Sequence, residues 1–470
     1  MQPTIYMNAI IALSLFGIVN LFLGLLKSRK LLLPVTLLFV VVAMVLNGLD
    51  WNTHSLYFNE MLRVNNLFIN FSTIILLATF FVVALTRGFG EDEDHTHPAE
   101  WYAIMLFSVA GAMMMVGFEN LIMLFVGLEI LSVAMYVLTG SDKRNLRSNE
   151  AAVKYFLMGS FATGILLFGI ALTYGATGSF ELTGIGSYVI KNQYGVSSLL
   201  YVGLLLIMVG MLFKVSAAPF HFWTPDVYEG APTIFTAFMS TIVKVAGFAA
   251  IYRLFSVSFG PIQGFWWNTL AMLSILTLLI GNITAVYQQS FKRMLAYSSI
   301  SHAGYMLISM VALGKQTQSA ILFYSLAYVL ATVSAFGVLM LVSESKPKDG
   351  RPDEHYNAFN GLAKRSPFLA FVLVVSMLSL AGIPLTAGFW GKFFVFATAV
   401  EKKMIFMLVI AVLMSAVGIY YYFRGVIAAY FREGTGELIE VRPFYKIILA
   451  ITTGLTILLG VAPDLVKSLF

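Results

Sequence analysis

Residues 213–233 read FKVSAAPFHFWTPDVYEGAPT and follow an unbroken apolar run over residues 199–213. This run is long enough to enter a bilayer, yet it ends beside a lysine, Lys214, with Pro219 five residues further on. Proline removes a backbone donor and clashes with the preceding turn, so a helix is expected to break there. An ionisable group beside a helix break at membrane depth is typical of ion and proton paths. The simpler alternative is a lysine that extends from a helix end to the membrane surface.

The composition is that of a membrane protein. Hydrophobic residues make up 59% of the chain and charged residues only 11%, which predicts an all-α polytopic membrane protein. There is no cysteine, so disulfides, iron–sulfur clusters and thiolate metal sites are excluded. The six histidines show no ligand spacing, and the acidic residues 91–94 with His95 and His97 are interpreted as a solvated loop. We therefore expect no metal, no cofactor and no nucleic-acid partner in this chain.

The apolar segments are regularly spaced along the chain. Because a span needs about 20 mostly apolar residues, the sequence predicts about 14 transmembrane helices in a single domain over residues 1–470. Pro219 and Pro384 interrupt the seventh and the twelfth. The predicted spans lie near residues 4–26, 31–49, 66–86, 101–118, 120–139, 151–175, 198–220, 231–256, 265–287, 293–313, 317–343, 367–398, 403–431 and 444–461.

The positive charges give an orientation to these spans. Of the 29 lysines and arginines, 18 lie on connections after odd-numbered spans, 7 lie on the other face, and Lys154, Lys214, Lys244 and Lys392 lie within spans. Cytoplasmic loops of membrane proteins carry the excess of positive charge. Both termini are therefore expected on the non-cytoplasmic side of the cell inner membrane.

The two interrupted spans resemble each other and lie five spans apart. Lys214 and Trp223 flank the first break, and Trp390 and Lys392 follow the second. An odd period places the two copies in opposite membrane orientations, which is the pattern of inverted repeats around a transport site.

Several ionisable residues fall within predicted spans. Glu129 lies near the middle of the fifth span, Lys244 and Lys392 lie deep in the eighth and twelfth, and Lys154 lies just inside the sixth. A charge at the bilayer centre costs about 2.5–3.5 kcal/mol on insertion scales, so each group needs a partner or a change of protonation. The alternatives are a protonated Glu129 that is hydrogen-bonded between helices and a Lys154 that extends to the membrane surface.

Two histidines add groups that titrate near neutral pH. His302 is surrounded in sequence by hydroxyl side chains, which favours a hydrated polar path over a simple core histidine, and His221 follows Pro219 after one residue. These hydroxyl residues are Tyr297, Ser298, Ser299, Ser301 and Tyr305. No Walker A motif, dinucleotide fingerprint or nucleophile elbow is present, so energy for transport must come from an ion gradient or a partner subunit.

Three motifs together resemble one known family. FKVSAAPFHFWTPDVYEGAPT, FKRMLAYSSISHAGYM at residues 291–306 and LSLAGIPLTAGFWGKF at residues 378–393 are similar to motifs of the antiporter-like proton-translocating subunits of bacterial NADH–quinone oxidoreductase, respiratory complex I. The resemblance covers essentially the whole chain. The family contains several related subunits. A lysine at position 392 distinguishes this chain from one of them, and the absence of a long lateral helix after the last span distinguishes it from another.

The resemblance implies a site and a set of partners. By motif, Glu129 and Lys214 are an interacting pair, Lys244 is the central connecting lysine and Lys392 lies towards the far side. Lys154 and His302 occupy secondary positions, and His221 could serve the same path. NADH oxidation and quinone reduction would occur in other subunits, and the membrane-arm subunits and lipid would be the partners of this proton-conducting chain.

The resemblance also implies internal repeats. The first inverted five-helix repeat would cover residues 101–256 and the second residues 265–431, after three spans at 4–86 and before a last span at 444–461. Two other functions remain open, namely a subunit of a multisubunit cation/proton antiporter and a membrane scaffold whose buried charges only fix helix packing.

The membrane orientation can be tested with single cysteines, because the natural chain has none. A cysteine in the connection 344–366 should react with an impermeant thiol reagent from the cytoplasmic side, and one near Lys402 from the opposite side, because the positive charges favour that orientation. Labelling of both positions from the same side would contradict the predicted order of spans.

Overall fold

The structure, a computed structural model, describes residues 9–26, 29–87, 97–192, 195–345, 347–348, 351–434 and 437–467. These residues are mostly helical and include two short antiparallel hairpins, Ser55–Tyr57 with Leu62–Val64 (β1, β2) and Pro347–Lys348 with Arg351–Pro352 (β3, β4). Helices α1 to α20 are, in chain order, Ala9–Leu23, Leu32–Leu49, Asn66–Leu85, Pro98–Gly117, Leu121–Thr139, Leu146–Thr177, Leu182–Lys191, Ser198–Lys214, Trp223–Gly230, Thr233–Phe238, Lys244–Leu254, Gln263–Tyr287, Phe291–Val311, Thr317–Glu344, Leu362–Arg365, Pro367–Ala381, Ala387–Glu401, Ile405–Phe431, Pro443–Val461 and Asp464–Lys467.

The prediction of an all-α membrane protein is confirmed. Among the described residues, nine helical segments are long and apolar enough to cross a membrane, and α1, α8 and α16 are shorter apolar helices. One of the nine, Thr233–Tyr287, is a 55-residue run that contains α10, α11 and α12. The predicted acidic loop at 91–94 with His95 lies outside the described residues.

The described chain forms two compact units. The first draws on Met1–Leu138, Gly159–Met208 and Val245–Pro261, and the second on Thr139–Met158, Val209–Lys244 and Ile262–Phe470. In the first unit α4 packs against α1 and α3, and α2 packs against α1 and α3. In the second unit α13 packs against α12, α9 and α17, while α14 packs against α16, α17 and α19.

The helix break predicted at Pro219 is present, and it begins at Lys214, where α8 ends. Ser216 has a positive φ of 64°. The freed backbone groups find partners inside the protein: the Ala218 N–H donates to Thr277 Oγ1 at 2.9 Å, and the Trp223 indole donates to the Phe213 carbonyl at 3.0 Å. A break at membrane depth requires such internal partners, because hydrocarbon offers none.

The second break, between α16 and α17, has its own set of partners. Gly382 has a φ of +82°, a conformation that side chains other than glycine rarely adopt. The backbone N–H of Gly388 donates to Ser379 Oγ at 3.1 Å, and a Cβ at Gly388 would lie 1.8 Å from the Ser379 carbonyl oxygen. The start of α17 can therefore approach the end of α16 only because residue 388 is glycine.

A π-helical turn separates α10 from α11. It covers Met239–Val243 and ends directly before Lys244. Thr241 Oγ1, in this turn, donates to the carbonyl of Ala237 in α10 at 2.8 Å. Such single-turn π segments inside helices are frequent at functional sites, because they shift the register of the side chains that follow.

The sequence analysis missed two ordered elements of the first unit. The connection after the second predicted span holds the β1–β2 hairpin, with Ser55 opposite Val64. The connection after α6 holds the short helix α7, in which Leu182, Ile185 and Val189 are buried. Their spacing is that of one helix face, so this helix had a readable sequence signal.

Candidate functional site

The site is built around Lys244, which is 2% exposed and lies just after the π-helical turn. Its Nζ donates to Ser299 Oγ at 2.7 Å and to the Ser299 carbonyl, and it lies 5.6 Å from the centre of the Tyr328 ring. The Tyr328 hydroxyl donates to the same Ser299 Oγ at 3.0 Å. Within the described part of its unit, Lys244 is thus surrounded by neutral hydrogen-bonding groups and an aromatic ring, with no ion-pair partner.

His302 lies one turn after Ser299 on α13 and is buried. Its Nδ1 is 2.6 Å from the Tyr324 hydroxyl and its Nε2 is 3.1 Å from the Tyr422 hydroxyl. A neutral imidazole donates at one ring nitrogen and accepts at the other. His302 therefore joins tyrosines of α14 and α18 in one hydrogen-bonded chain.

Lys392 lies on α17, beyond the second helix break, and is buried. Its Nζ donates to the Ala381 carbonyl at 2.7 Å and to Ser415 Oγ at 2.9 Å. It lies 4.7 Å from the centre of the Tyr305 ring. The ammonium of Lys392 thus satisfies the carbonyl that the end of α16 leaves open, and in the described part of this unit it has no ion-pair partner.

Several of these groups lie on α13 and α14. Ser299 and His302 lie one turn apart on α13, and Tyr324 and Tyr328 lie one turn apart on α14. A cavity of about 10 Å³ is lined by His302, Tyr324, Tyr328 and Ser379, which is room for about one water molecule. Hydroxyls and an imidazole can each donate and accept a proton, so these buried groups of the second unit are able to exchange protons.

Lys214 and His221 lie at the first helix break and both are buried. Lys214 Nζ is 5.7 Å from the centre of the Tyr155 ring, and this ring stacks on Trp223 at 4.5 Å. The His221 ring lies 4.6 Å from that of Phe222, and its Nδ1 has no hydrogen-bond partner among the described residues.

Lys154 lies in a different environment from the other lysines. Its side chain is 42% exposed and pairs with Glu150 at 2.7 Å and Asp226 at 3.0 Å, while Arg293 pairs with Asp226 and Glu229. Glu150, Lys154, Asp226 and Glu229 line an open cavity of about 290 Å³. Burial alone would raise the pKa of Asp226, but the hydrogen bonds and charges of Lys154 and Arg293 outweigh it and hold this pKa below its usual value.

Glu129 lies on α5 in the first unit and is partly buried. Its assignment as a proton-transfer residue, and that of the lysines and histidines above, remains a prediction from the sequence. The structure adds Ser299 and Tyr328 as neighbours of Lys244. It adds Tyr324 and Tyr422 as neighbours of His302. Sequence spacing indicated the serine on α13, whereas the tyrosines come from helices far apart in the chain.

The sequence analysis missed a buried group of charges in the first unit. Glu119, between α4 and α5, accepts from Arg253 at 2.6 Å and from Arg63 on β2 at 3.0 and 3.2 Å. Its backbone N–H also donates to the Met61 carbonyl at 2.8 Å. This ion triad joins the β1–β2 hairpin to the ends of α4 and α11.

A second missed residue is Lys292, in the second unit. It is buried and pairs with Glu354 at 2.8 Å, while its Nζ also donates to the carbonyl of Ala231 at 2.7 Å. This lysine has a carboxylate partner, which Lys244 and Lys392 lack among the described residues of the same unit.

Comparisons with known proteins agree with the motifs. The family model described as NADH:quinone oxidoreductase/Mrp antiporter, transmembrane, matches residues 119–418. NADH-quinone oxidoreductase subunit N of Cytophaga hutchinsonii is 41% identical over 461 residues, which are 98% of each chain. A chain in the structure of respiratory complex I from Thermus thermophilus with bound aureothin is 35% identical, with a TM-score of 0.84 over 98% of both chains.

A third likeness concerns the fold alone. A chain of the Mrp complex from Dietzia sp. DQ12-45-1b is 19% identical, with a TM-score of 0.87 over 99% of this chain and 96% of that one. Fold and site together define an antiporter-like membrane protein. The chain belongs to the NADH:quinone oxidoreductase/Mrp antiporter family, and the resemblance inferred from its motifs is confirmed.

The ion triad generates a stability prediction. Glu119→Ala leaves the buried Arg253 without its counter-charge, and breaking a buried ion pair costs about 3–5 kcal/mol. We expect less subunit in the membrane and a lower thermal midpoint of the purified protein in its native assembly. Glu181→Ala is the control, because Glu181 is exposed and makes no ion pair within the described chain. Equal midpoints for Glu119→Ala and the control would contradict a structural role of the triad.

Proposed function

We propose that this chain is a membrane-arm subunit of a proton-pumping NADH:quinone oxidoreductase and conducts protons across the bacterial inner membrane. The observation that supports it best is the setting of Lys244 and Lys392. Both are buried, and in the described part of their unit both are hydrogen-bonded by hydroxyl and carbonyl groups, with no carboxylate at ion-pair distance. Subunits named N of such enzymes are its close relatives in sequence.

A lysine ammonium that is buried without a counter-charge raises the free energy of the protein. Burial in a low dielectric disfavours the charged form of a lysine, and a carboxylate partner would restore it. With only neutral partners, the charged and neutral forms of Lys244 and Lys392 are closer in free energy. A small change in the surrounding charges then suffices to load or release the proton.

The proposed relay uses hydrogen-bonded groups of the second unit. A proton on Lys244 reaches the Ser299 hydroxyl, and the His302 ring, bonded to Tyr324 and Tyr422, lies one helical turn further on. Lys392 would pass the proton towards the far side. Each hydroxyl accepts one proton as it donates another, so no group on the path gains a lasting charge.

The roles of the remaining residues of the proposed path rest more on the sequence than on the contacts in the structure. Lys214 and His221 stand at the first helix break, and Lys154 stands in the partly exposed charge cluster, where it could exchange protons with water. Glu129 joins the proposal through the family resemblance alone. Its charge would set the proton affinity of Lys214.

The number of spans, the repeats and the orientation in the membrane are part of the same proposal. We infer about 14 spans, with inverted repeats over residues 101–256 and 265–431 and both termini outside the cytoplasm. Two features support it: helices lie in all the predicted spans, and two breaks, each beside a buried lysine, lie five spans apart. Spans at 4–86 and 444–461 would flank the repeats within one transmembrane domain.

The energy would come from partner subunits. The chain has no nucleotide-binding motif and no cysteine, and its relatives carry the name of an oxidoreductase. We therefore assign NADH oxidation and quinone reduction, with their cofactors, to other subunits of the complex. The likeness to the Mrp complex and the shared family model favour a cation/proton antiporter subunit as the second candidate.

Arginine substitutions separate a relay lysine from a structural one. Arginine keeps its proton at accessible pH, so Lys244→Arg preserves the charge but blocks transfer. We expect Lys244→Arg to lower the number of protons pumped per electron several-fold in membrane vesicles, with the assembly of the complex checked on a native gel.

Lys292→Arg is the matched control, because Lys292 is equally buried but ion-paired with Glu354. An arginine can keep that pair, so this variant should assemble and pump normally. Normal pumping by an assembled Lys244→Arg complex would show that Lys244 is a scaffold residue and would end the relay proposal.

A further inference from the structure

A polar cavity of about 200 Å³ lies apart from the proposed proton path. It is lined by Gln289, His355, Tyr356, Asn357, Arg424 and Arg432, all in the second unit. Its volume is several times the roughly 30 Å³ that one water molecule occupies in the liquid. The cavity therefore has room for a charged group larger than water.

Arg424 is held in place at this cavity by several partners. Its Nη1 donates to the carbonyls of Val286 at 2.7 Å and Gln288 at 2.9 Å. Its guanidinium lies 4.4 Å from the centre of the Tyr356 ring. A guanidinium fixed in this way loses little conformational freedom when it binds an anion.

The charge of the cavity lining is one-sided. Arg424 and Arg432 carry positive charge, and the lining that the described residues form contains no carboxylate. Among the described acids nearby, Glu354 pairs with Lys292, Asp353 accepts from the backbone N–H of His355 at 3.0 Å, and Glu433, which follows Arg432, is exposed. The cavity therefore favours an anion.

Exposed aromatic side chains lie next in sequence to residues of the cavity lining. Tyr430 and Phe431 lie at the end of α18 beside Arg432, and Tyr287 lies at the end of α12 beside the Gln288–Gln289 turn; all three are exposed. Aromatic side chains are enriched at the level of lipid headgroups. In the proposed topology the connections around residues 289, 355 and 432 all lie on the cytoplasmic side.

We propose that this cavity binds the phosphate of an anionic phospholipid in the cytoplasmic leaflet. Arg424 and Arg432 donate to the phosphate oxygens in charge-assisted hydrogen bonds. The acyl chains lie along the exposed apolar face of α18 near Ile427 and Phe431. A free phosphate ion would use the same arginines but would leave that apolar face without a partner.

The test uses the purified native complex in phosphatidylcholine vesicles that contain a photoactivatable phosphatidylglycerol. Cross-linked peptides are identified by mass spectrometry. We expect labelling near residues 424–434 in the wild type, and about tenfold less in the double variant Arg424→Gln/Arg432→Gln, because two charge-assisted hydrogen bonds are lost. The matched control is Lys143→Gln/Arg144→Gln, which removes two exposed charges from another cytoplasmic connection and should label as the wild type does.

Two further arms separate the possible ligands. Excess inorganic phosphate should leave the labelling unchanged, and photoactivatable phosphatidylcholine should label this segment weakly. Equal labelling in the wild type and the arginine variant, loss of labelling with inorganic phosphate, or equal labelling by phosphatidylcholine would each overturn the anionic-lipid site. None of these outcomes depends on proton pumping, so the proposed function is tested separately.

Discussion

The constraint on which this structure depends is that hydrocarbon cannot hydrogen-bond, so each polar group at membrane depth must find its partner inside the protein. The two helix breaks show how the chain meets it. Thr277 and Trp223 bond the backbone freed around Pro219, and Lys392 itself bonds the carbonyl left open at the end of α16. The break is therefore also the reason why a lysine is stable at that depth.

The same constraint separates two kinds of buried charge. Lys292 and Glu119 have partners of opposite charge, and separating such a pair would leave an uncompensated buried charge. Lys244 and Lys392 are held by neutral groups in the described part of their unit. Groups of the first kind fix the packing of helices and hairpins, and groups of the second kind are suited to exchange protons.

Much of this organisation was predictable from the sequence. Hydropathy predicted the apolar helices, and Pro219 and Pro384 predicted the breaks, because proline in the interior of a helix disrupts it. The missed features depend on contacts between residues far apart in the chain, such as Glu119 with Arg253. The π-helical turn before Lys244 had no sequence signal that we recognised. The tyrosines bonded to His302 come from α14 and α18, and only the packing of these helices brings them to α13.

We propose that a buried lysine of this chain changes its protonation during turnover. The most direct test is the pH dependence of proton pumping in Lys244→His, measured in vesicles beside the wild type. An ordinary histidine has a pKa near 6.5, about four units below that of lysine, so a carrier at this position would be loaded only at lower pH. We expect the alkaline limit of pumping in Lys244→His to lie at least about one pH unit below that of the wild type. An unchanged pH profile in an assembled, active complex would contradict it.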